Sequence, residues 1–136
     1  MRSFSLSLIA VAGLGFLVGC GSGTGAPGAP SNVPPDDTLG QLSASQQASL
    51  CDYLANVQGG YGRSMTCPGG DTQTTDESQS YCLANFGGVA FACPTLTVGD
   101  AENCAAACAT DLCAVDTAAA CAAVRNCANQ TFDAGT

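Results

Sequence analysis

Ten cysteines are the side chains of this 136-residue chain best placed to do chemistry, and no histidine stands beside them. Without imidazole there is no Ser-His-Asp or Cys-His nucleophile, no two-histidine metal helix and no proton shuttle titrating near neutral pH. The tightest cysteine spacing is Cys104-x-x-x-Cys108. On a helix, positions i and i+4 share a face, so two sulfurs at this spacing converge and could run thiol redox chemistry or hold a soft metal ion. The same pattern serves equally as structural sulfur. Cys108 extends an apolar stripe and can pack as a small hydrophobe, so it is the candidate free thiol, and the other cysteines are candidate disulfide partners.

The remaining ionisable groups mark no second site. Eleven carboxylates face three arginines for a net charge of −8, leaving no basic surface to neutralise phosphates, so nucleic acid is excluded as a partner. Asp71, Gln73, Thr75 and Glu77 alternate faintly in the manner of a calcium loop. The Gly and Glu that such a loop requires further on are replaced by Asp76 and Cys82, and Asp76 and Glu77 suit the start of a helix instead. Asp100, Glu102, Asp111 and Asp116 also fall near expected helix starts. No catalytic residue, no cofactor and no metal site is therefore expected, and the chain does not read as an enzyme.

The elements that must position the cysteines are short helices. Leu50, Leu54 and Val57 repeat at helical spacing behind a Ser43–Gln46 capping box, predicting a helix over 44–58 that ends at Gly59-Gly60. A second is expected over 76–86, capped by Thr75 and stopped by Gly87-Gly88. A third is expected over 98–109, opened by Thr97 with Asp100 and carrying Val98, Ala101, Ala105 and Cys108 on one stripe. A fourth is expected over 117–127 with Asp116 as its cap. Residues 60–67 read as extended, and Pro68-Gly69-Gly70 and Pro94 as turns. Leu54-Ala55-Asn56-Val57 and Leu83-Ala84-Asn85-Phe86, each followed by two glycines, look like a repeat, but helix ends favour Asn and Gly for backbone reasons alone.

Upstream, Arg2 precedes an apolar run from Phe4 to Val18 of about fifteen residues, the layout of a secretory signal and shorter than the roughly twenty needed to span a bilayer. Residues 21–37 are dense in Gly and Pro without apolar periodicity, which reads as a linker. With only 10% charged residues against a norm of about 25%, and a thin set of large apolar side chains, the downstream chain needs staples to hold a fold.

Setting Cys20 aside leaves Cys51, Cys67, Cys82, Cys93, Cys104, Cys108, Cys113, Cys121 and Cys127. That is an odd number, so at most four intramolecular bridges form and one thiol is left over. Eight cysteines allow on the order of a hundred connectivities, so spacing alone leaves the pairing open. A modular scheme would join each helix cysteine to the next loop cysteine: Cys51 to Cys67, Cys82 to Cys93 and Cys104 to Cys113. Cys121 to Cys127 completes it, although six helical residues rise about 9 Å, beyond disulfide reach unless the helix ends between them.

Leu17-Val18-Gly19-Cys20 resembles the bacterial lipobox. The resemblance implies cleavage before Cys20, lipid on its thiol, and a membrane as partner through that lipid. Gly21, where retained inner-membrane lipoproteins often carry Asp, favours the outer membrane by the same analogy. The whole layout resembles the small cysteine-rich lipoproteins of Gram-negative bacteria. The expected organisation is a signal peptide over 1–19, a lipidated cysteine and disordered linker over 20–41, a cysteine-rich domain over 42–130 and a disordered tail over 131–136. The expected fold is small, all-α and disulfide-rich, with about four short helices held by up to four bridges. The expected role is a non-catalytic envelope or surface interaction module meeting an envelope protein partner. The alternative is a thiol-active redox or metal-handling lipoprotein using Cys104 and Cys108.

Overall fold

A computed structural model describes residues 31–133. The expected signal peptide over 1–19, the expected lipidation site Cys20, residues 21–30 and residues 134–136 lie outside the described residues. Four helices, α1 (Ala44–Val57), α2 (Gln79–Ala92), α3 (Val98–Ala107) and α4 (Ala122–Asp133), are joined by a small hairpin of β1 (Ser64–Thr66) and β2 (Thr72–Thr74) and by short 3₁₀ turns. The result is a small, mostly helical, disulfide-rich fold. Helix α1 packs on both α2 and α3, and α4 closes against both of those.

Helix α1 starts where its capping box lies. The Ser43 hydroxyl accepts from the Gln46 amide, and the Gln46 side chain accepts from the Ser43 N–H at 2.9 Å. It ends at Gly59 and Gly60, whose φ values of 93° and 109° only glycine adopts without strain. Its inner face buries Leu50, Cys51 and Ala55. Helix α3 begins at the Thr97–Asp100 capping box, with Thr97 N–H donating to Asp100 Oδ2 at 3.1 Å.

Four expectations for the elements are corrected. Thr75 does not cap α2; Ser78 does, and α2 runs through Gly87-Gly88 to Ala92. Thr75 is instead buried at the base of the hairpin, where its hydroxyl donates to Gly60 O at 2.8 Å and accepts from Arg63 N–H at 2.9 Å. The four apolar residues that follow the glycines, Val89 to Ala92, carry the helix onward, whereas Gly60 is followed by further turn residues. The fourth helix does not start at Asp116. Residues Leu112–Asp116 and Ala119–Cys121 form two 3₁₀ turns, and α4 then continues to Asp133, inside the stretch expected to be tail. Arg125 holds these turns in place by donating from one nitrogen to Val115 O and Ala118 O, both at 2.8 Å. That satisfies carbonyls that a continuous helix would otherwise have bonded.

The domain also begins earlier than residue 42. Val33 and Leu39 are 1% and 4% exposed and belong to the main core with Leu42, Leu50, Phe86, Leu96 and Val98. The segment docks along the start of α3: Leu39 N–H donates to Leu96 O at 3.0 Å, Val98 N–H to Asp37 O at 2.9 Å, and Gly99 N–H to Pro35 O at 2.8 Å. Gly99 lets the two backbones approach closely, since a Cβ would lie 3.1 Å from Pro35 O, a tight contact. Residues 31–41 are thus structural rather than linker.

Candidate functional site

The disulfides join elements that are distant along the chain. Cys51 in α1 bonds Cys82 in α2, Cys67 after β1 bonds Cys113, Cys93 at the end of α2 bonds Cys127 in α4, and Cys104 in α3 bonds Cys121. None of the neighbour pairings of the modular scheme forms. Helices that pack side by side bring their own cysteines together, so the bridges follow packing rather than sequence proximity. The sequence separations of 17 to 46 residues also make each one a constraint on long loops.

Among the described residues Cys108 is the free cysteine, and it is buried. It caps the C-terminus of α3, its N–H donating to the carbonyls of Cys104 and Ala105 at 3.1 Å each. Its Sγ lies 3.7 Å from that of Cys121. The sulfurs of Cys104, Cys108 and Cys121 all fall within 4.8 Å of one another and form a second core, packed with Ala114, Val115, Ala118 and Val124. Small side chains permit this. The Cys104 and Cys121 Cα atoms approach to 4.4 Å, at the short end of the range for bridged cysteines. Burial pushes the Cys108 thiol above its ordinary pKa, and the nearby carboxylates Asp111 and Asp116 push in the same direction. As folded, Cys104 is therefore not a thiol, and Cys104 with Cys108 is not a dithiol pair. Cys108 alone of the three could present a thiolate; a three-thiolate cage for a soft ion would require reduction of the Cys104–Cys121 bond.

Cys104 also lines a half-open cavity of about 310 Å³ between α1, α2, α3 and α4, together with Leu50, Leu54, Phe86, Ala105 and Val124. Its polar lining is Gln58, Thr75, Asp76 and Asn85. Burial raises the pKa of Asp76 above the ordinary carboxylate value. The cavity is thus an apolar space, with a few polar groups, that touches the sulfur cluster on one side.

The other residues of interest are dispersed. Asp71, Gln73 and Thr75 run along or beside β2, not around a closed loop. Both described arginines are held by carbonyls: besides Arg125, Arg63 donates to Gln58 O at 2.6 Å, Ala109 O at 2.8 Å and Thr110 O at 3.1 Å. Of the aromatic residues, Phe86 is buried, and Tyr61 is half-buried with its hydroxyl donating to Asp52 Oδ1 at 2.8 Å. Tyr81 and Phe91 are 50% and 90% exposed on the outer face of α2, a helix without a charged residue. Comparison of the chain with protein-family models, with curated proteins and with solved structures finds no match.

Proposed function

We propose that this chain is an exported, lipid-anchored protein whose disulfide-held helical domain serves as a non-catalytic interaction module of the cell envelope. The observation that carries the reading is that eight cysteines are consumed in four bridges between distant elements, which is the economy of a domain that matures under oxidising conditions. The lipobox resemblance around Cys20 supplies the anchor, and the uncharged outer face of α2, with Phe91 at its most exposed point, supplies a surface suited to an envelope protein partner. Expression of the full chain and of Cys20→Ser in a Gram-negative host tests it. The wild-type chain is expected in the detergent phase on phase partition, with the mass of a diacyl or triacyl modification on Cys20. The Cys20→Ser chain is expected in the aqueous phase. Wild-type protein that stays aqueous and unmodified would sink the anchor.

Thiol chemistry is a second reading, favoured by the convergence of the three sulfurs of Cys104, Cys108 and Cys121.

A further inference from the structure

We infer that Cys104, Cys108 and Cys121 form an internal disulfide relay in which the thiolate of Cys108 attacks Sγ of Cys121 and releases Cys104, a residue that lines the apolar cavity, as a thiol. The proposal uses only side chains of the domain. It is independent of the membrane reading, so either can fail while the other stands.

The step balances without any outside oxidant. The lone pair of the Cys108 thiolate forms the Cys108–Cys121 bond. The Cys104–Cys121 bond breaks, its electron pair leaves on Cys104, and that sulfur takes up the proton that Cys108 gave up, so the net transfer is from one sulfur of the trio to another. One disulfide and one thiol exist before and after.

Two independent observations point to this direction. The first is proximity: the free sulfur sits 3.7 Å from a disulfide sulfur. The second is the gradient of access. Cys108 and Cys121 are 1% and 0% exposed, whereas Cys104 is 6% exposed and lines the cavity of about 310 Å³. The exchange moves the reactive sulfur from Cys108 to the member of the trio that borders the cavity. The released Cys104 would take a small uncharged thiol-reactive molecule, an electrophile or a disulfide able to enter an apolar space.

The resting array is bent. A straight line through the three sulfurs, the geometry exchange prefers, would put the outer two further apart than the 4.8 Å within which all three lie. Cys108 must therefore swing about its Cα–Cβ bond before attack, and its elevated pKa keeps the thiolate scarce. Both place the exchange on the scale of minutes to hours, as for uncatalysed disulfide rearrangement.

The test is a time course of the native oxidised full chain with iodoacetamide at pH 8, quenched in acid, digested without reduction and mapped by mass spectrometry. The expected result is label accumulating on Cys104 in step with a new Cys108–Cys121 peptide, and loss of that label in Cys108→Ser. Label on Cys108 with Cys104–Cys121 intact, or native protein that stays unlabelled at every time point, overturns the relay. A Cys104→Ser chain provides a second measurement: it is expected to form Cys108–Cys121, and alkylation of Cys108 and Cys121 overturns the proposal.

Discussion

At the scale of single residues, the Tyr61 hydroxyl gives this protein an alkaline pH dependence. Burial and the hydrogen bond to Asp52 push Tyr61 up to about 12 from its ordinary value of 10.0. Below pH 10 the phenol is protonated in both folded and unfolded chains, and its contribution is intact. Between 10 and about 12 the unfolded chain gives up its proton first, so stability falls as pH rises. Tyr61→Phe is expected to cost about 1 kcal/mol at neutral pH, a typical net hydrogen bond at a half-buried site. It should also flatten the loss of stability between pH 10 and 11. Urea midpoints measured in a Cys108→Ser background, which prevents thiol-driven scrambling, check this; an equal slope in both chains would remove the role given to Tyr61. Cys108 was legible from its place on the α3 stripe. Its partner across the cluster, Cys121, was not, because nothing in the spacing 104, 108, 121 says that the chain doubles back.

At the scale of elements, two glycine pairs that each come shortly after a Leu-Ala-Asn triplet behave oppositely. Gly59-Gly60 ends α1 at positive φ, while Gly87-Gly88 sits inside α2 with open space where a Cβ would go at either position. Gly88→Ala is therefore expected to stabilise the domain by about 0.5–1 kcal/mol. Gly60→Ala is expected to destabilise it by about 1–2 kcal/mol, the cost of a left-handed backbone for an L-residue. Thermal midpoints of the two variants should shift in opposite directions, and a shared sign would refute the assignment. Capping boxes at Ser43 and Thr97 were readable because their partners lie three residues away. The docking of residues 31–41 was not, since Val33 and Leu39 are isolated among Gly, Pro and Asp, and only contacts with residues far along the chain, such as Leu96, Val98 and Gly99, give the segment a place.

At the scale of the whole molecule, stability depends on the four bridges. Each closes a loop of 17 to 46 residues and should contribute roughly 3–4 kcal/mol on the chain-entropy account, against a net stability of about 5–15 for a small domain. Reduction and alkylation of all eight bridged cysteines is expected to abolish the cooperative unfolding transition followed by far-ultraviolet circular dichroism at 25 °C. A fully alkylated chain that still melts cooperatively would show that the two small apolar cores suffice without sulfur.

The sequence by itself determined the class of this protein: its helical segments, its need for crosslinks, the odd cysteine, and the absence of histidine chemistry. These are local or compositional properties, set by periodicity, caps and counts. Which sulfurs meet, where α4 begins and how far the domain extends toward its N-terminus were decided only by tertiary structure. Each depends on two stretches of chain far apart in sequence being packed together, Cys104 on Cys121 and Val33 on the core, and a linear pattern holds no distance between such stretches.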